Sequence, residues 1–87
     1  MEHNKHFESF DLWLCSYLIC EHDAQLLDCH AVDHNARRCV FEITPYPSPE
    51  SLALFNSGQA TANILNLRST LTRLRRALDD ASVKGGA

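Results

Sequence analysis

Three glycines are all that this 87-residue chain contains, Gly58, Gly85 and Gly86, and none belongs to a G-x-x-x-x-G-K or G-x-G-x-x-G loop. Such loops need glycine for close approach of backbone to phosphate, so nucleotide-binding sites of those kinds are excluded. The four cysteines contain no C-x-x-C pair, and neither H-E-x-x-H nor G-x-S-x-G occurs. Zinc ribbons, zinc proteases and serine hydrolases that carry those signatures are excluded with them. Long apolar runs are missing too. The longest, Leu12 to Cys20, is interrupted by Ser16, far short of the roughly 20 residues of a membrane-spanning helix. Met1 to His6 is polar and lacks the layout of a signal peptide, so the expected compartment is the cytoplasm and no membrane partner is expected. Net charge is only −3, which argues against a protein whose whole surface grips nucleic acid.

What is present is an ordinary globular composition, 45% hydrophobic and 22% charged, with no signature of disorder. The length predicts one domain over 1–87, with an ordered core over about 7–81 and a mobile tail over 83–87. A chain this short buries a small share of its surface and is marginally stable unless its elements pack well. No internal repeat is visible.

The strongest periodic signal lies near the C-terminus. From Ala62 to Ala81, Ile64, Leu67, Leu71, Leu74 and Leu78 recur at steps of three and four, one stripe of a long amphipathic helix. Thr61 or Asn63 supplies a cap, since either side-chain oxygen can accept from an orphan backbone N–H. Leu65 points away from the stripe. Near the N-terminus, Ser9 reads as a cap and Asp11 as a first-turn acid for a helix ending at Cys20 or Glu21. Phe10, Leu14, Tyr17 and Leu18 form its tightest stripe. Leu12, Trp13, Cys15 and Ile19 make the helix apolar almost all round, as in a helix that is central or partly covered by a second chain.

Between these helices, Gln25 to Val32 and Arg38 to Thr44 read as two strands. Cys39, Phe41 and Ile43 alternate with Arg38, Val40 and Glu42, which sets an inner and an outer face. Leu27, Cys29 and Ala31 match the inner face. Asp33 to Ala36 supplies turn residues, so a β-hairpin is predicted. Pro45, Pro47 and Pro49 end the second strand as a stiff connector. Ser48, Pro49 and Glu50 open a short helix as cap, first-turn proline and first-turn acid. Leu52 and Phe55 form its buried side, and Gly58 stops it. The expected fold is α+β in the order helix, β-hairpin, short helix, long C-terminal helix.

Phe7 to Leu14, the leucine-bearing hairpin, Leu54 to Ala60 and the leucine-periodic last helix together resemble a family of small bacterial and phage proteins known as a domain of unknown function. The likeness spans Phe7 to Leu78. It implies a fold of this order and an origin in mobile genetic elements, and it carries over no catalytic residue. The chain departs from the family pattern where Ser57 stands between Asn56 and Gly58 in place of an Asn–Gly pair.

Candidate sites are few. Cys15, Cys20, Cys29 and Cys39 read as buried or half-buried free thiols; a zinc set of Cys29, Cys39 and a histidine, or a Cys29–Cys39 disulfide, is the alternative. His3, His6, His22, His30 and His34 read as solvated polar residues, so no metal, no cofactor and no enzyme is expected. The expected function is a small interaction module, a dimer of itself or a subunit of a larger assembly. Leu12, Trp13, Ile19 and Leu65 are its candidate interface, and a lone hairpin whose two strands are both open edges is its motive. The alternative is a nucleic-acid-binding accessory protein using Arg37, Arg38, Arg68, Arg73 and Arg76. Pairing of Arg75 with Asp79 and Arg76 with Asp80 at i, i+4 spacing would neutralise that helix face.

Overall fold

The computed structural model describes residues 6–32 and 39–86, with 82–86 described by backbone alone. In chain order these form β1 (Phe7–Ser9), α1 (Leu12–Glu21), β2 (Gln25–Ala31), β3 (Cys39–Thr44), α2 (Pro49–Ser57) and α3 (Ile64–Gly86). The α+β class and the helix–hairpin–helix–helix order are as expected, with one addition. Phe7–Ser9 is a strand, and the sheet has three antiparallel strands in the order β1-β3-β2. β3 is therefore central, and the open edges are β1 and β2, where the sequence pattern gave the hairpin edges on both strands. Three residues are too few for periodicity to announce, yet they alternate as a strand must. Phe7 packs on the core and meets Tyr46 edge-on at 5.2 Å, while Glu8 faces outward.

Because Ser9 ends that strand, it is not the cap of α1. Its hydroxyl accepts from the Asp11 N–H at 3.0 Å. The Asp11 carboxylate in turn accepts from Leu14 N–H at 3.1 Å and is the true cap. The helix starts two residues later than expected for a Ser9 cap, which leaves Phe10 ahead of it and half-exposed rather than in the buried stripe.

β2 departs from simple alternation. Leu26 opposes Ile43, but Asp28 opposes Glu42, so Leu27 is one extra residue in the ladder. This β-bulge turns Leu27 out to solvent and puts Leu26, not Leu27, against the core. Past the bulge, Cys29 opposes Phe41 and Ala31 opposes Cys39, as the inner-face pattern requires.

α1 and α3 cover the inner face of the sheet. Cys15, Phe41 and Leu74 form one cluster, with Leu12, Ile19, Leu26, Cys29 and Leu78 around it. Leu14, Tyr17, Leu18, Ala24 and Ile43 form the other, and it extends to Leu52 and Phe55 of α2. The two long helices run antiparallel, since Cys15 meets Leu74 while the Glu21 carboxylate accepts from the Asn63 N–H at 2.9 Å. That bond first, and the Cys20 thiol second, hold the Glu21 carboxyl below the usual carboxylate range. Asn63, rather than Thr61, caps α3 through its side-chain oxygen and the Asn66 N–H at 3.0 Å. The stripe of α3 is buried from Leu67 onward, most completely at Leu74. Ile64 is 78% exposed and leaves the stripe, at the end of α3 that lies beside Glu21, the last residue of α1. The helix continues past Ala81 to Gly86.

α2 follows its signals closely. Ser48 caps it, Pro49 opens it, and Gly58 closes it with φ +81°, a left-handed backbone that favours glycine. Its buried Ser51 joins the end of α1. Ser48 Oγ and Ser51 Oγ lie 2.8 Å apart, His22 Nδ1 lies 3.5 Å from Ser51, and His22 Nε2 lies 3.0 Å from the Tyr17 hydroxyl.

Candidate functional site

The bulge decides what stands on the outer face of the sheet. With regular pairing from Leu26 and Ile43, Leu27 would sit opposite Glu42, and Asp28 and His30 would point inward. The inserted residue reverses that phase. Asp28 lies directly across from Glu42, and His30 across from Val40, on the face away from α1 and α3. On the other side of Glu42, β1 places Glu8 in register. Three carboxylates, Glu8, Glu42 and Asp28, thus form a row across all three strands. Like charges directly opposed on neighbouring strands are destabilising.

His30 is the group that answers this row. Its Nδ1 lies 2.9 Å from Asp28 Oδ2, to which it donates, and 3.8 Å from Glu42 Oε2. One ligand-capable atom from each of Asp28, His30 and Glu42 falls within 4.8 Å of the other two. The Glu42 side chain is 21% exposed, whereas those of His30 and Asp28 are 44% and 57% exposed, so the cluster lies open to solvent on the Asp28 side. The sequence reading placed His30 among solvated histidines and expected no metal. The inner-face pattern of Leu27, Cys29 and Ala31 already puts Asp28, His30 and Glu42 on the outer face; what the chain does not display is the cross-strand register that sets Asp28 opposite Glu42.

The cysteines do not form a competing site. Cys29 packs inward while its neighbour His30 faces outward, which separates the members of a Cys29, Cys39 and His30 set. None of the four cysteines is in a disulfide. Burial pushes the Cys15 thiol up to about 11, against a hydrogen bond from Ser9 and with help from nearby Asp11. Burial first, then the neighbouring Cys39 and Asp28, pushes Cys29 up to about 11 as well. Thiols held protonated in this way are poor nucleophiles and poor metal ligands at neutral pH.

The four expected interface residues do not form one patch. Leu12 and Ile19 are half-buried and pack on the inner clusters. Trp13 and Leu65 are 53% and 70% exposed, but Trp13 lies in the first turn of α1 and Leu65 in the first turn of α3, beside the other end of α1. The residues between them on α1 span roughly 12 Å at 1.5 Å per residue. Arg68, Arg73 and Arg76 are exposed on α3, and Arg37 and Arg38 lie outside the described residues, as do His3, His34 and the hairpin turn. The expected Arg75–Asp79 and Arg76–Asp80 pairs are not formed: among the described residues, the only ion pairs within 4.0 Å are those of His30. The helix face is therefore not self-neutralised. Surface pairs of that kind contribute little, so nothing compels the side chains together. A shallow hollow of about 530 Å³ lies along α2, lined by Glu50, Ala53, Leu54, Ser57 and Gln59, and brings together no set of catalytic groups. Among the described residues, no helix is long and apolar enough to cross a membrane.

No protein-family model, curated protein or solved structure matches the chain.

Proposed function

We propose that the chain is a non-enzymatic interaction module that works as a homo-oligomer or as one subunit of a larger assembly, with the edge of β2 as its contact. The observation that carries this reading is the strand order β1-β3-β2, which among the described residues leaves the seven-residue β2 unpaired on one side. An open edge offers a row of N–H and C=O groups to another strand. Leu27 within β2 and Val32 just past its end are both 46% exposed. Two copies joined edge to edge about a two-fold axis would make one six-stranded sheet and use the same patch twice. The bulge narrows the choice of partner, because only a strand that matches its kink can pair across it. The likeness to small bacterial and phage proteins adds a setting in mobile genetic elements to this reading.

Sedimentation equilibrium at micromolar concentration tests it. The expected result is a dimer for the natural chain, shifted toward monomer by Leu27→Lys, which sets a charge on the edge. A single species at 9.8 kDa for the natural chain overturns self-association.

A second reading has one observation in its favour. Arg68, Arg73 and Arg76 stand exposed without acidic partners among the described residues, which leaves their charge available to phosphates. On this reading the chain is a nucleic-acid-binding accessory protein. Filter binding to DNA and RNA at two salt concentrations separates the two, since phosphate contacts weaken steeply as salt rises.

A further inference from the structure

We infer that Asp28, His30 and Glu42 form a binding site for one divalent transition-metal ion of the zinc class. This goes beyond the proposed role in assembly and does not depend on it.

Geometry comes first. Ligand atoms about 2.1 Å from a tetrahedral zinc stand about 3.4 Å from one another, and in an octahedral arrangement adjacent ones stand about 3.0 Å apart. The Nδ1 of His30 lies 2.9 Å from one carboxylate oxygen and 3.8 Å from the other. Those two separations bracket the required values, and the third side, between the two carboxylate oxygens, is within 4.8 Å, so rotation of the exposed Asp28 carboxylate toward Glu42 would complete the triangle. The proton that Nδ1 donates to Asp28 occupies the place a cation would take. On binding, the ring hydrogen sits on Nε2, the ring remains neutral, and the Nδ1 lone pair becomes the ligand. The remaining positions go to water.

Charge and chemistry point the same way. Glu8, Glu42 and Asp28 stand in one row across the sheet, and among the described residues the His30 ring is the one basic group within 4.0 Å of it. A doubly charged ion removes the repulsion in that row. One imidazole among carboxylates suits zinc, cobalt or manganese better than magnesium or calcium, which prefer oxygen alone. The support is rigid as well, for all three ligands rise from paired strands rather than from a loop. The bulge at Leu27 is the device that aims Asp28 and His30 outward, and bulges recur where a side chain must be re-aimed at a site.

The test uses the full chain, kept reduced. Zinc is titrated by calorimetry, and cobalt(II) by absorbance, in excess magnesium. One saturable equivalent is expected, with no sulfur-to-cobalt charge-transfer band. His30→Ala, Glu42→Gln and Asp28→Asn should each weaken it about tenfold to a hundredfold, the scale on which metal sites respond to lost support. His22→Ala, the described histidine tied to Tyr17 and Ser51, should bind as the natural chain does. Zinc should raise the melting temperature of the natural chain and not that of His30→Ala. Because Glu42→Gln and Asp28→Asn preserve shape, far-ultraviolet circular dichroism will show them folded, and their loss of binding is then a loss of ligand. No saturable binding up to millimolar zinc, a thiolate band, or affinity unchanged in His30→Ala overturns the site.

Discussion

On the inner face of the sheet, Phe41 and Ile43 lie beneath Leu18 and Leu74, and each is at most 1% exposed. Between those two strand residues, Glu42 points the other way and stands between Glu8 and Asp28. The inner face is saturated with apolar contact, where each buried side chain stabilises by roughly 1.5–3 kcal/mol. The outer face stores like-charge repulsion, answered by one imidazole. Stability and the candidate site are therefore carried by opposite sides of the same strands. A change on one side should be felt mainly in folding, and a change on the other mainly in binding.

The sharpest way to break this division is at Leu74. Truncating it to alanine should cost about 2–5 kcal/mol, the usual range for a fully buried leucine. Leu65→Ala, on the same helix but 70% exposed, should be nearly silent. Urea unfolding of the two variants reads both numbers. Equal losses would mean that the exposed first turn of α3 is covered in solution, and would move the proposed contact from β2 to that helix.

On the outer face the sign should invert. Glu8→Gln removes one end of the carboxylate row and should stabilise the chain by about 0.2–1 kcal/mol, the range of cross-strand pairs. Saturating zinc should erase that gain if the row is what the ion relieves. A loss of stability from Glu8→Gln would mean that the row is already neutralised and that the outer face holds little repulsion.

The smallest effect is expected inside the core. Ser16 on α1 is fully buried, and its hydroxyl has no hydrogen-bond partner among the described residues. Replacing it with alanine removes an unsatisfied polar group at little change in volume. Ser16→Ala should be neutral to about 1 kcal/mol stabilising. A cost of similar size would reveal a partner for the hydroxyl.

How far the fold could be read from the chain depended on whether local signals agreed with one another. α2 was legible throughout, because cap, proline, acid and glycine all mark the same nine residues. The stripe of α3 was legible from Leu67 to Leu78 and failed at Ile64, since burial of a first turn depends on what lies beside it and not on period. β1 was missed because three residues cannot display alternation, and with it the true cap of α1. The candidate site was the least legible part. Leu26 and Leu27 are equally apolar, so composition does not say which one faces the core. Only the pairing with Ile43 and Glu42 does, and that pairing is a tertiary fact.

The bulge at Leu27 sets an unusual rule for how this chain can change over generations. A point substitution alters what a residue is but not which side of the sheet it occupies, so position 27 should accept many residue types. Loss of the residue is tolerable too. Without Leu27, Leu26 still opposes Ile43 and Asp28 still opposes Glu42, now in plain alternation, so Asp28 and His30 keep the outer face and only the local kink goes. A deletion between Asp28 and Ala31 would instead carry the side chains beyond it to the other face. Among descendants of this chain, one-residue changes of length in β2 should therefore collect at the two leucines and spare Asp28 to Ala31.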